Sequence, residues 1–142
     1  VIFMDKLRPY SQIIESLRSV GLRPTRQRLA LTKLLFDGQD RHVTAEMLHG
    51  EALAAGVSVS LATVYNSLHQ LNKAGLLREI VVEVGRSYFD TNISSHHHIF
   101  NEDTRKLTDI AADQIHLIGL PAIADGQEIN RIDVILRVNN SY

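Results

Sequence analysis

Apolar side chains at Ile13, Ile14, Leu17 and Val20 recur at helical spacing, and Gly21 closes the run. Pro24 and Thr25 open a second helical segment, whose stripe of Leu29, Leu31, Leu34, Leu35 and Phe36 ends at Asp37-Gly38. Thr44 is placed to cap a third helix over Ala45–Ala55, with Glu46 in its first turn and Gly56 beyond its end. Ser60 caps a fourth, in which Leu61, Val64, Leu68 and Leu71 face the core as far as Gly75. From Leu76 the period changes: Ile80-Val81-Val82-Glu83-Val84 and Tyr88-Phe89 flank a turn at Gly85-Arg86, the pattern of a β-hairpin. Helices followed directly by a hairpin predict a winged helix-turn-helix, the third and fourth helices forming the helix-turn-helix and the hairpin the wing.

Residues 90–95 read as a hinge. Beyond it, strand-like segments at His98–Asn101 and Lys106–Ile110 flank the polar turn Glu102-Asp103-Thr104-Arg105. A third, Ile129–Val138, alternates Ile132, Val134 and Leu136 with Arg131, Asp133 and Arg137. Pro121 and Gly126 limit any helix before it to a couple of turns. A three-stranded sheet of this size needs a second copy to cover it. The fold class is therefore α+β: an N-terminal winged helix-turn-helix domain, residues 1–91, and a small C-terminal α/β dimerisation domain, residues 92–142, that also carries the candidate sensing residues.

Composition narrows the function. Apolar residues make up 44% and charged residues 22% of the 142, an ordinary globular balance. No apolar run approaches the ~18 residues of a membrane helix, and the first residues do not read as a signal peptide. A cytoplasmic location without membrane attachment is expected. With no cysteine in the chain, disulfides, thiolate zinc sites and cysteine nucleophiles are excluded, so a metal must use His, Asp or Glu. The net charge is only −1, but Arg18, Arg23, Arg26, Arg28 and Lys33 fall between residues 18 and 33 with no acid among them, whereas residues 92–142 hold four basic groups against seven acidic ones. A basic cluster of this kind is either a solvated helix face or a surface that meets phosphate.

A helix capped at Ser60 turns Ser60, Ala62, Thr63, Asn66 and Gln70 outward. Small residues at its start allow close approach to a major groove, where Asn66 can pair with adenine and Thr63 and Tyr65 can touch thymine methyls. Arg86 at the wing is a further phosphate candidate. In the run His96-His97-His98, strand alternation puts His96 and His98 on one face and His97 on the other. His49, His69 and His116 are isolated and read as surface or packing residues, His69 lying opposite the DNA-facing set. A metal-dependent hydrolase would need a general base or nucleophile constellation, and none is visible, so the chain is not read as an enzyme.

Three stretches, Gly21-Leu22-Arg23-Pro24-Thr25-Arg26-Gln27-Arg28, His42-Val43-Thr44-Ala45-Glu46-Met47-Leu48 and Ser60-Leu61-Ala62-Thr63-Val64-Tyr65-Asn66-Ser67-Leu68, closely resemble the successive signatures of the ferric-uptake-regulator (Fur) superfamily. The resemblance continues through Gly75-Leu76, Tyr88-Phe89-Asp90 and the histidine run, and so covers about residues 12–138. The histidine run with no cysteine after it, and Asn66 after the tyrosine, resemble the iron response regulator (Irr) branch. The resemblance implies a homodimeric transcriptional regulator of iron or haem homeostasis on an A·T-rich, near-palindromic double-stranded operator. It implies DNA contact by Tyr65, Arg23 and Arg28, with Arg23 at a narrow minor groove and Arg28 on phosphate. It also implies a regulatory metal site of His42, Asp90, His96 and His98 for Fe²⁺, Mn²⁺ or Zn²⁺, or alternatively haem held by His96, His97 and His98. The family's usual Cys-x-x-Cys zinc positions are here Asn101 and Thr104, so no structural cysteine zinc site is expected.

Overall fold

The computed structural model describes residues 10–141, and the chain divides between Ile93 and Ser94 into two compact units. The first contains α1 (Tyr10–Ser19), α2 (Arg26–Phe36), β1 (His42–Val43), α3 (Ala45–Ala54), α4 (Leu61–Lys73), β2 (Arg78–Glu83) and β3 (Arg86–Asp90). Three of its helices start alike. Thr25, Thr44 and Ser60 each take extended backbone and accept, through the side-chain oxygen, the N–H three residues on, at 3.2, 3.1 and 3.1 Å. Each cap satisfies an orphan donor and contributes roughly 1 kcal/mol.

The helix-turn-helix pair also ends in one way. Gly56 and Gly75 sit at φ 78° and 84°, and the residue after each sends its N–H back five positions, Val57 to Ala52 at 2.8 Å and Leu76 to Leu71 at 2.9 Å. This left-handed reversal is cheap only for glycine. It turns the chain out of α4 directly into β2. Leu17, Leu31, Leu35, Leu48, Val64, Leu68, Leu71 and Phe89 form one buried cluster that holds the helices and the hairpin together.

The hairpin strands pair antiparallel with an irregularity between Val81 and Glu83, and Val84-Gly85 form the tip. Two features depart from the sequence reading. The short strand β1 joins the hairpin, giving the order β1-β3-β2, with His42 opposite Asp90 and Val43 opposite Phe89. Two residues are too few to leave a period, so only the pairing reveals them. Asp90, read as the start of a hinge, is consequently the last ladder residue of β3.

The second unit contains β4 (His96–Asn101), β5 (Leu107–Ala111), a 3-10 turn at Ala112–Gln114 and β6 (Ile135–Val138), in the order β5-β4-β6. β4 pairs antiparallel with β5 and parallel with β6. The third strand is thus shorter than the alternation over Ile129–Val138 predicts. Its ladder begins where Ile135 meets His98; before that, Val134 is tied to the histidine run by its N–H to His97 Nδ1 at 3.1 Å and by accepting the N–H of His98 at 3.1 Å. Residues 115–134 form no regular element. Phe100, Leu107 and Ile110 are the buried apolar residues of this unit, whereas Ile118 is 94% and Leu136 45% exposed.

Leu68 is fully buried in the first unit's core. Leu68→Ala should therefore destabilise that unit by about 2–5 kcal/mol in urea unfolding followed by circular dichroism. A loss below 1 kcal/mol would mean that the helices do not pack around this residue.

Candidate functional site

The first unit presents α4 as a surface helix. Val64, Ser67, Leu68 and Leu71 are buried, while Ala62, Asn66, His69, Gln70 and Lys73 are exposed and Thr63 and Tyr65 half-buried. Ser60 Oγ accepts from Thr63 N–H and lies 2.9 Å from Thr63 Oγ1, so the two hydroxyls form one cap at the helix start. Leu61, expected in the core, is 36% exposed. A helical side chain leans toward the turn before its own Cα, and at the first position no turn precedes it.

Tyr65 is fixed at both ends. Its hydroxyl donates to the Glu46 carboxylate, 2.8 Å from Oε2 and 3.2 Å from Oε1, and its ring stacks at 6.3 Å on His69. His69 in turn meets the buried Phe89 edge-on at 5.4 Å. The hydrogen bond to Glu46, helped by partial desolvation and the negative charge of the carboxylate, raises the Tyr65 phenol above its ordinary value. His69 therefore shares the face of Tyr65 one turn on and does not lie opposite the DNA-facing set. Its place follows from the four-residue spacing.

Arg28 joins two helices. Its guanidinium donates to the Arg23 carbonyl and to Gln70 Oε1 of α4, so part of its donor set is spent inside the protein. Gln27 adds a second tie, donating to the Ser58 carbonyl at 3.1 Å. Arg23 and Arg26 are exposed beside it, and Arg86, the first residue of β3, is exposed with its Nε 3.8 Å from Glu83. The sequence had marked neither Glu46 nor Gln27 for these contacts, because partners 19 and 31 residues away leave no local signal.

The wing sheet also builds a pair of potential metal ligands. His42 and Asp90 face each other across the β1–β3 ladder, His42 Nε2 lying 3.2 Å from Asp90 Oδ2. Asp90 is only 1% exposed, accepts the Asn92 N–H at 2.9 Å, and has the buried Arg78 as its register partner on the other side. Residues directly opposite in adjacent strands share a face. The carboxylate thus sits in a row between an imidazole and a guanidinium-bearing side chain.

The second unit holds the histidine run. His96 and His98 share one face of β4 with ring centroids 4.6 Å apart, and their Nε2 atoms lie 3.4 and 3.5 Å from Asp109 Oδ1. Asp109 is the β5 register partner of His98, a ligand candidate that only strand register could disclose. The His96 Nδ1, 2.7 Å from the Ser94 carbonyl, must be the donor in that bond, because a carbonyl only accepts. Its other ring nitrogen, Nε2, is the atom that faces the Asp109 carboxylate, so an imidazole nitrogen and a carboxylate oxygen lie side by side as possible ligand atoms. His97 points the other way and accepts the Val134 N–H at Nδ1, which places its proton on Nε2.

Comparison with known proteins follows the same outline. The sequence profile described as the ferric uptake regulator family matches residues 19–137. The chain is 33% identical over 103 residues to the ferric uptake regulation protein of Klebsiella pneumoniae, covering 72% of this chain and 66% of that protein. It is 32% identical over 105 residues to the peroxide-responsive repressor PerR of Staphylococcus aureus, covering 74% and 70% of the two. Among solved structures it resembles the ferric uptake regulator from Pseudomonas aeruginosa with manganese, at 25% identity and a TM-score of 0.70, covering 90% of this chain and 97% of that one.

The Arg28–Gln70 tie between α2 and α4 yields a stability prediction. Arg28→Ala should cost about 1 kcal/mol, and adding Gln70→Ala should cost almost nothing more in a double-mutant cycle read by thermal unfolding. Fully additive losses would show that the two side chains do not depend on each other.

Proposed function

The chain belongs to the ferric uptake regulator family, and from that premise we propose that it is a homodimeric, sequence-specific DNA-binding repressor whose grip on DNA is set by a divalent metal ion. The family's members are DNA-binding transcription regulators, not enzymes. The observation that carries the DNA reading is α4, a helix capped at Ser60 that offers Ala62, Thr63, Tyr65 and Asn66 on its outer face, with Arg28 of α2 bonded to Gln70 of α4 and to the carbonyl of Arg23, and with Arg26 at the start of α2. α4 enters the major groove, where Asn66 and Tyr65 read base edges. Arg23, Arg28 and Arg86 contact the backbone or minor groove of an A·T-rich, near-palindromic operator. Residues 1–91 form the reader, and residues 92–142 the dimerisation and sensing domain.

In this reading the metal ligands are His42 and Asp90 from the wing sheet and His96 and His98 from β4, with Asp109 at hand as a further carboxylate. Imidazole and carboxylate donors suit Fe²⁺, Mn²⁺ or Zn²⁺. The donor set fits such an ion in its chemistry: His42 Nε2 lies 3.2 Å from Asp90 Oδ2, and His96 and His98 Nε2 lie 3.4 and 3.5 Å from Asp109 Oδ1, so imidazole nitrogens and carboxylate oxygens are already brought together in pairs. An ion bound more tightly in one arrangement of the protein favours that arrangement, and a differential affinity of about 2–3 kcal/mol between two arrangements changes DNA occupancy tens- to a hundredfold.

Haem on His96, His97 and His98, as the likeness to the iron response regulator branch implies, is the second reading. Three adjacent imidazoles in a chain without cysteine favour it. Against it, His97 would have to move its proton from Nε2 to Nδ1 to offer Nε2 as an axial ligand, and in doing so lose the Val134 N–H. The metal reading needs no such change.

Tyr65→Ala should weaken binding to an operator enriched from random duplexes by about 1–3 kcal/mol, whereas Arg23→Ala should weaken all duplexes and flatten the salt dependence by about one unit of slope. An unchanged affinity and selectivity for Tyr65→Ala would remove α4 as the reader.

Calorimetric titration of metal-free protein with Mn²⁺ or Zn²⁺ should show tight binding that His98→Ala and Asp90→Asn each weaken at least about tenfold. Haemin added to the same protein should give no histidine-ligated absorption band. Undiminished metal binding in both variants would sink the metal assignment, and a band lost in the triple His→Ala variant would favour haem.

The dimer interface proposed for the second unit is supported by the exposure of Ile118, Leu120, Leu136 and Val138 in a unit with few buried apolar residues. Sedimentation should show a dimer for the whole chain and a shift toward monomer for Leu136→Asp combined with Ile118→Asp. A dimer untouched by both charges would place the interface elsewhere.

A further inference from the structure

We propose that Glu46 determines base specificity by fixing the hydrogen-bonding polarity of Tyr65: its carboxylate holds the phenol proton, so that Tyr65 meets DNA as an acceptor and selects an exocyclic amino group. This rests on the reading of α4 as the recognition helix.

A phenol has one O–H donor and lone pairs that accept. In Tyr65 the donor is spent on both oxygens of Glu46, at 2.8 and 3.2 Å. A hydrogen bond to a carboxylate is roughly twice as strong as one between neutral groups, so exchanging it for a bond to a neutral base oxygen or ring nitrogen is unfavourable. The raised phenol pKa reflects the same bond and keeps the proton in place. The ring cannot swing freely either, since it stacks on His69, which is set edge-on against the buried Phe89. The lone pairs left to Tyr65 can accept only from a donor.

In the major groove the donors are the amino groups of adenine N6 and cytosine N4, whereas guanine N7 and O6 and thymine O4 accept. An untethered phenol could bond to any of those acceptors or to a phosphate, and would discriminate little. Tethered, it favours an amino base over a keto base at the position it faces. Glu46 is exposed and bonded to Tyr65 of α4, so where α4 meets DNA its carboxylate repels phosphate. Such a group lowers affinity for every duplex, a cost that a gain in selectivity offsets. Its other role, an acid in the first turn of α3, would not depend on the Tyr65 hydroxyl.

That difference supplies the test. Full-length protein and the Glu46→Ala, Glu46→Gln, Tyr65→Phe and Glu46→Ala/Tyr65→Phe variants are compared on the duplex that the parent enriches from a random library and on its single-base variants. The parent should show one position at which adenine or cytosine is preferred over guanine or thymine by about fivefold, the worth of one neutral hydrogen bond. Glu46→Ala and Tyr65→Phe should each abolish that preference, the double variant should be no worse than either, and Glu46→Gln should weaken it. Without DNA, the phenolate absorbance lost in Tyr65→Phe should have its midpoint above the ordinary value of about 10 in the parent and lower in Glu46→Gln. A preference that survives Glu46→Ala, or a midpoint unmoved by Glu46→Gln, would overturn the role of Glu46 and leave the DNA reading standing. Failure of the parent to enrich any duplex would overturn both.

Discussion

The pairing of β1 with β3 is the constraint on which the first unit's arrangement depends. It is only two residues long, yet it closes the loop after α2 onto the wing, placing Val43 beside Phe89 in the core and His42 beside Asp90. Further bonds extend the ladder: the Thr91 N–H donates to the Arg41 carbonyl at 3.1 Å, and the Thr91 hydroxyl accepts the Arg41 N–H at 2.9 Å while donating to Asp40 at 3.2 Å. Without this pairing Asp90 would begin a loose connection. With it, the last residue of the wing becomes a rigidly held ligand candidate on the same strand as a core aromatic.

Charge burial raises the stakes of that geometry. Removing an unpaired carboxylate from water costs several kcal/mol, and Asp90 is almost wholly enclosed. Its neighbours in the sheet are accordingly His42 and the buried Arg78, and its turn supplies the Asn92 N–H. A second row in the other unit repeats the design, with His96 and His98 converging on Asp109. Both rows pair imidazole nitrogens with carboxylate oxygens, the donor types that a divalent cation takes from a chain without cysteine.

On the opposite side of the first unit's sheet, Phe89 leads outward to His69 and Tyr65. The residue next to Asp90 in sequence is therefore part of the support under α4. Short contacts of this kind let one small sheet brace α4 on one face and hold the His42–Asp90 pair on the other, because successive strand residues point to opposite sides.

The sequence by itself determined the four helices, the opening of the second at Pro24-Thr25, the caps at Thr44 and Ser60, the hairpin, the alternation of the histidine run and the family signatures. All of these are local, since a helix period, a cap or a strand alternation is written within a dozen residues. The third strand shows where that ends, because its alternation ran from Ile129 while the ladder holds only Ile135–Val138. Alternation records which side a residue would face, but not whether a partner strand is present. The tertiary structure alone decided that β1 exists, that Asp109 joins His96 and His98, that Arg28 is bound to Gln70, and that Tyr65 gives its proton to Glu46. Those pairs are joined by register and by contacts between elements far apart in the chain, for which a single sequence carries no spacing rule.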